Sequence, residues 1–375
     1  MKKINVCLIG MGFGQEFIEI YMNHPNVETV SLYDINSECL NKFASKYNLK
    51  TYDSFDAVLE DTNLDAVHLV TPIPLHEEQT VKVLLSGKHC ACTVPMATSL
   101  KGIKKIVKVV KKSSKNYMMM ETTLYTKHFL YIKKLIESNE LGNVQFLRGC
   151  HYQDMNGWND YWKGLPPMWY GSHAIGPLVA LSNSKIKNVV CYGSGTMSKE
   201  LQSQYNNPYP LESALFEFEN GLKAEATRSL FEVARTYQEG LFVYGSKKSF
   251  EWGFKDHSYP YVTSLIKEEN NRYFDTPVEE IKVPIFYTDL PKEIQKYTIN
   301  RNQYDPSKHD ESILNADSSS HHGSHPFMVH EFIMSIIENR KPLIDEHMAA
   351  NIIAAGLCAH KSAIKNGKKI RLPKF

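Results

Sequence analysis

The sequence lacks an excess of charge of either sign. Its 43 lysines and arginines nearly cancel 41 aspartates and glutamates, for a net charge of +2. That balance gives no electrostatic reason to expect nucleic acid or an anionic membrane as partner. The one dense basic run, Lys104, Lys105, Lys108, Lys111 and Lys112, is interleaved with Ile103, Ile106, Val107, Val109 and Val110. It reads as the solvated face of a helix. No apolar run approaches the roughly 20 residues of a membrane span. Met1-Lys2-Lys3 leads straight into a strand pattern, without the apolar core of a signal peptide. The seven cysteines lack disulfide-like spacing. Cys90 and Cys92 share one face of a strand but stand roughly 7 Å apart along it, at or beyond bridging distance. Reduced thiols and a cytoplasmic location are the expectation.

What is present is an alternation. Strand patterns at Ile4 to Ile9, Val27 to Tyr33, Leu64 to Val70, Cys90 to Val94 and Tyr117 to Thr122 are separated by helical stretches. Such alternation argues for a parallel sheet with helices on both faces. After about Tyr125 the pattern changes. Asn143 to His151, Lys187 to Gly193, Ser213 to Glu219, Leu222 to Ser229 and Gly240 to Trp252 read as strands without long helices between them. Asn220-Gly221 is a hairpin turn signal. Residues 255 to 320 are polar and read as a long excursion, and Pro326 to Asn339 and Met348 to Asn366 read as closing helices. The length fits two domains. The first is expected over 1–125 and a substrate-binding and oligomerisation domain over 126–375, with the last helix packing back toward the first.

Gly10-Met11-Gly12-Phe13-Gly14 directly follows the first strand and opens a helix, and Asp34 ends the next strand 24 positions after Gly10. Glycines let a backbone approach a pyrophosphate, and a helix N-terminus supplies amide donors. The third glycine position holds Gln15, with glycine at 14 instead. Asp34 would accept hydrogen bonds from an adenosine ribose and repel a 2′-phosphate, and Ile35-Asn36 offer no compensating arginine. The pattern is that of a Rossmann fold binding NAD in preference to NADP. The fold class is therefore α/β: a doubly wound parallel sheet, plus a C-terminal α+β domain with a large, mainly antiparallel open sheet.

Thr71-Pro72, His76, Gly87-Lys88-His89 and Pro95 form a second constellation. With the first, it resembles the glucose–fructose oxidoreductase, inositol dehydrogenase and rhizopine-catabolism oxidoreductase superfamily over essentially the whole chain. The resemblance implies hydride transfer between NAD(P) and a carbohydrate hydroxyl. It also implies cofactor contacts at Gly10, Gly12, Phe13, Gly14, Gln15, Asp34, Thr71, Pro72, His76, Thr93 and Pro95, and an open sheet often used to form a homo-oligomer. Where the superfamily usually has Glu-Lys-Pro, with a lysine assisting proton transfer, this chain has Thr93-Val94-Pro95. Where an aspartate usually stands four residues before a catalytic histidine, Trp169 precedes His173. A branch of NAD-dependent α-N-acetylgalactosaminidases is more similar. It has Glu-Val-Pro at the lysine site and a Tyr-Pro-Thr-His-Gly-x-Gly-Pro segment comparable to Tyr170 through Pro177. Its Asn-Cys-Cys-Tyr is comparable to Thr122-Thr123-Leu124-Tyr125.

Removing a hydride from a sugar carbon needs a base for the hydroxyl proton. Val94 cannot serve, so His173, Tyr170 and Tyr125 are the candidates, with Tyr170 and His173 on one face if they share a first helical turn. Gln153, Asp154, Trp158 and Trp162 combine aromatic faces with polar groups and read as a carbohydrate wall. His322 or His325 reads as a hydrogen-bonding residue facing substrate. No recognisable metal-ligand spacing is present, and no metal is expected. Three outcomes follow. The chain oxidises C3 of a glycoside or sugar, with NAD that can be tightly bound. Alternatively, oxidation, elimination, water addition and re-reduction give a redox-neutral glycosidase. Or the chain is a non-enzymatic NAD-binding sensor or scaffold.

Overall fold

The computed structural model describes residues 2–202, 204–235, 237–252, 258–266, 275–299 and 321–375. The chain divides into two compact units: residues 1–125 with 287–350 and 375, and residues 126–286 with 351–374.

The first unit alternates as the sequence suggests. Strand β1 (Ile4–Ile9) leads into α1 (Met11–Asn23), then β2 (Val27–Tyr33), α2 (Ser37–Tyr47), β3 (Lys50–Thr51) and α3 (Phe55–Glu60). It continues through β4 (Ala66–Leu69), α4 (His76–Leu85), β5 (His89–Thr93), α5 (Leu100–Ser113) and β6 (Tyr117–Met120). The strands form one parallel sheet in the order β3-β2-β1-β4-β5-β6. The reversal between β1 and β4 is the switch point where a doubly wound sheet binds a ligand. Helix α5 puts Ile103, Ile106 and Val110 into the core and its lysines outward, as its spacing requires.

The second unit begins with α6 (Lys127–Glu137), β7 (Val144–Tyr152), α7 (Ser172–Ser182), β8 (Ile186–Ser194), β9 (Leu211–Phe218) and β10 (Lys223–Ser229). Then come β11 (Gln238–Gly245), β12 (Lys248–Trp252), β13 (Tyr261–Ser264) and β14 (Val278–Glu280). With the terminal β15 (Ile370–Arg371), they make a nine-stranded sheet in the order β14-β13-β12-β11-β7-β10-β9-β8-β15. It is antiparallel except for β7 beside β10. Helix α7 lies close on β7 because position 149 is glycine; a Cβ there would collide with the carbonyl of Ala174. On the other sheet face Tyr192 and Leu215 stay 60% and 49% exposed.

Three expectations need correcting. Gly240 to Trp252 is a hairpin, β11 and β12, not one strand. The chain turns after Gly245, where a Cβ would strike the Leu141 carbonyl. The excursion contains β13 and β14, while 253–257, 267–274 and 300–320 lie outside the described residues. Finally, residues 287–350 belong with the first unit, not with 126–375. They carry α8 (Lys292–Gln295) and α9 (His325–Ile337), and α9 packs on α1 through His325 against Phe17, ring centroids 4.7 Å apart. Asn116 Nδ2 ties them to the end of the sheet, donating to Arg340 O at 2.7 Å and Ser335 Oγ at 3.0 Å. The last long helix, α10 (Glu346–Ala363), starts in the first unit and continues in the second.

Candidate active site

In the first unit, β1 stops at Gly10, whose φ of 93° suits glycine. A side chain there would collide with the carbonyl of Val70. Gly12 is exposed with open space where a Cβ would stand, and Gly14 sits in ordinary contact range of Val70. Helix α1 has no side-chain cap and no acidic residue in its first turn, so its leading amides suit an anion. Gln15 folds back, Nε2 donating to Gly12 O at 2.7 Å. The Asp34 carboxylate accepts from Met11 N at 2.6 Å and Asn36 N at 2.8 Å, so it pins the glycine turn to the end of β2. This cradle fits a dinucleotide. The residues that could hold it are Gly10, Gly12, Phe13, Asp34, Thr71 and Pro72.

His76 stands at the start of α4, held between two turns. It is 1% exposed, and its two ring nitrogens face carbonyls: Nδ1 to Pro95 O at 2.8 Å and Nε2 to Thr71 O at 2.7 Å. Two acceptors require two N–H donors, so the imidazolium is the form that satisfies both. Burial works against that charge. The Cys92 thiol and the two carbonyls outweigh it and push the pKa up to about 9. His76 therefore clamps the Thr71-Pro72 and Thr93-Pro95 turns together. His325 is also buried, wedged between Phe17 and Phe13 (centroids 4.7 and 5.5 Å), and packs on α1. His322 is half-buried with a φ of 53°. Tyr125 belongs to this unit too. Its hydroxyl is buried, and burial, with Glu331 nearby, holds its pKa well above the ordinary tyrosine value. That opposes a tyrosinate there.

The second unit gathers its polar groups by register. On one face at one end of the large sheet, Glu212 of β9 pairs with Arg228 of β10, Arg228 with His151 of β7, and His151 with Glu239 of β11. Adjacent positions across strands point to the same face. All four are essentially buried. Helix α7 adds His173, whose Nδ1 stands 3.7 Å from Glu239 Oε1 and whose ring meets His151 edge-on at 4.8 Å. Tyr237 Oη donates to Glu239 Oε1 at 2.6 Å. Arg228 donates to the carbonyls of Tyr170, His151 and Ser229 and to Gln153 Oε1, at 2.6 to 3.1 Å. Glu212 takes Met168 N at 2.9 Å and meets His360 Nδ1 at 2.6 Å, which anchors the turn before Tyr170.

Tyr170 ends a separate turn, Pro167–Tyr170, instead of sharing the first turn of α7 with His173, yet their rings lie 5.5 Å apart. Helix α7 runs through Pro177, which cannot donate the helical bond to the His173 carbonyl. Trp162 is buried, its edge against Tyr170 at 4.7 Å, so it supports Tyr170 and offers no open face. Trp158 is 57% exposed. Asp154 is exposed and holds its own turn by accepting from Asn156 N at 2.9 Å. Glu239, Tyr237, Arg228 and the ring of His151 were not foreseen as one group. Only the pairing of three strands, β7 with β10 and with β11, brings them together.

A glycine-cradled switch point in one unit and a nine-stranded sheet with buried polar groups in the other define the class, an NAD-binding oxidoreductase. Residues 4–121 match the model of an oxidoreductase family with an NAD-binding Rossmann fold, and residues 129–251 match the GFO/IDH/MocA C-terminal domain. The chain belongs to that family. A glycosyl hydrolase family 109 protein from Phocaeicola vulgatus is 24% identical over 230 residues, 55% of this chain and 49% of that protein. A glucose-6-phosphate 3-dehydrogenase from Bacillus subtilis is 27% identical over 144 residues, 38% of this chain and 40% of its own. The chain thus spans about half the length, or less, of these curated relatives. Among solved structures, a levoglucosan dehydrogenase in complex with NADH and L-sorbose superposes with a TM-score of 0.76 at 16% identity, covering 100% of both chains. Among the described residues no helix is long and apolar enough to cross a membrane.

Proposed function

We propose that this NAD-dependent sugar oxidoreductase converts the C3 hydroxyl of a glycoside or sugar into the 3-keto form. The observation that carries the reading is the buried group of His151, His173, Glu239 and Tyr237. It gives proton-handling side chains to a chain with Val94 in place of the usual lysine. The similarity to a glucose-6-phosphate 3-dehydrogenase supports the ring position. NAD, when bound, supplies the hydride acceptor. Asp34 receives the adenosine ribose and the Gly12 turn its pyrophosphate. His173 and Tyr170 take the hydroxyl proton. Gln153, fixed by Arg228, donates to or accepts from ring hydroxyls, and Trp158 offers an aromatic face. Tyr125 is left out of the catalytic set on the grounds of its burial and raised pKa.

A second reading, redox-neutral glycoside hydrolysis, is favoured by one observation. Val94 and the Tyr170–Pro177 segment both depart from ordinary dehydrogenases toward glycosidases, in a chain similar to a glycosyl hydrolase family 109 protein. A panel of p-nitrophenyl glycosides, assayed with and without NAD, separates the two. NADH formation and a 3-keto product without aglycone release support the oxidase. Aglycone release without net NADH supports the hydrolase. No response to any sugar removes both. We further propose that the open sheet face around Tyr192 and Leu215 meets a second copy of the chain, in the cytoplasm. Light scattering of the native chain and of Leu215→Lys tests that contact.

A further inference from the structure

We propose that His151, His173 and Glu239 bind one divalent transition-metal ion, with zinc the best match to the donors. The inference rests on the site of the C3 reading and alters it: with the ion bound, His173 is a ligand and Tyr170 is the group left to take the hydroxyl proton. Each residue offers one ligand atom, and the three atoms lie within 4.8 Å of one another. Two imidazoles and one carboxylate are a donor set of zinc sites that keep a position open. Among the described residues no other trio of His, Cys, Asp or Glu side chains converges in this way.

The supports are independent of the donor types. His151 and Glu239 are register partners on hydrogen-bonded strands, and His173 comes from a helix seated tightly on the same strand at Gly149. The ligands therefore stand on rigid elements. Tetrahedral ligation at about 2.1 Å spaces ligand atoms about 3.4 Å apart. His173 Nδ1 and Glu239 Oε1 are already 3.7 Å apart, so side-chain rotations close the widest gap. Outer partners are in place: Tyr237 Oη on Glu239 at 2.6 Å, and Arg228 Nη1 on the His151 carbonyl at 3.1 Å. The buried row holds one guanidinium and two carboxylates, and Glu212 has the Met168 amide and His360 beside it. With three protein ligands the ion keeps a position for an oxygen, where a hydroxyl is acidified.

The test needs neither sugar nor NAD, so its failure is separate from a failure of the C3 reading. The full chain is stripped with chelator, exposed to excess zinc and desalted, and its metal is measured by mass spectrometry, with titration calorimetry for affinity. About one zinc per chain is expected, with affinity lowered at least about tenfold in Glu239→Gln and His151→Gln and about tenfold in Tyr237→Phe. His325→Asn, in the other unit, retains full uptake. Cobalt loading gives the visible absorption of a low-coordinate site and bypasses any variant that fails to fold, as judged by circular dichroism. Uptake below about a tenth of an equivalent, or uptake unchanged in Glu239→Gln and His151→Gln, overturns the site.

Discussion

Gly10 and Gly149 do the same mechanical work in the two units and leave different chemistry behind. Each removes a side chain that would strike a backbone carbonyl, that of Val70 in the first case and of Ala174 in the second. At Gly10 the result is a bare turn whose donors are main-chain amides at the start of α1. At Gly149 the result is a helix pressed on a strand, which sets His173 against His151 and Glu239. A site of amides tolerates many neighbouring side chains, because the backbone supplies the binding. A site of side chains depends on register, on the seating of α7 and on the partners of every buried charge.

The comparison breaks most visibly at Gly149. Gly149→Val would push α7 from β7 and separate His173 from Glu239. Overpacking of this kind against main chain costs about 3 kcal/mol or more. Denaturant unfolding should show that loss, and any turnover should vanish. NAD affinity should stay within about twofold of the native value, since the substitution leaves the glycine cradle of the first unit unchanged. An equal collapse of NAD binding would show that the two sites are not separable in this way.

In the first unit the counterpart of that buried polar group is His76. Its folded-state pKa of about 9 lies above the ordinary histidine value of 6.5. The stabilisation is therefore complete below pH 6.5 and is lost as the pH rises through about 9. The difference corresponds to something on the order of 3 kcal/mol. Unfolding free energy measured from pH 6 to 10 should fall over that window, and His76→Gln should flatten the fall. A variant with the same pH profile as the native chain would remove the clamp from the account.

The two units were not equally legible in the sequence. Gly10, Gly12 and Asp34 lie in a strand–turn–helix–strand run, so local spacing alone revealed the cradle, and Gln15 at the third glycine position folds back onto the Gly12 carbonyl. His173 was found through a contiguous segment. Glu239 and Arg228 were not, because their meaning lies in strand pairing, β7 with both β10 and β11, which one sequence does not encode locally. The same reason explains the misassignment of residues 287–350. Their place is set by α9 docking on α1, and the amphipathic pattern of a helix does not say which sheet it will cover. Trp162 and His325 show a third limit: aromatic and imidazole rings in a promising segment turned out to be buried packing.

Gly10→Ala isolates the backbone half of the comparison. A methyl at a φ of 93°, facing the Val70 carbonyl, costs about 2 kcal/mol in strain and displacement. If the turn shifts to relieve it, NAD affinity measured by fluorescence titration falls at least about tenfold. Metal uptake at His151, His173 and Glu239 should be unaffected.

The smallest expected effect discriminates most finely. Asp34 has two tasks in the first unit: it accepts the Met11 and Asn36 amides, and it would present a negative charge to the ribose. Asp34→Ala removes both, so NAD binding weakens by about tenfold, the worth of one hydrogen bond to a charged acceptor. NADP binding, which the charge opposes, falls much less. Asp34→Asn separates the tasks, because an amide oxygen still receives the Met11 N–H while the charge is gone. If the charge sets the preference, Asp34→Asn keeps the fold stability of the native chain and narrows the ratio of NAD to NADP affinity. If that ratio stays at the native value while stability drops, Asp34 is a brace for the glycine turn, and the cofactor preference must be read from other residues of the cradle.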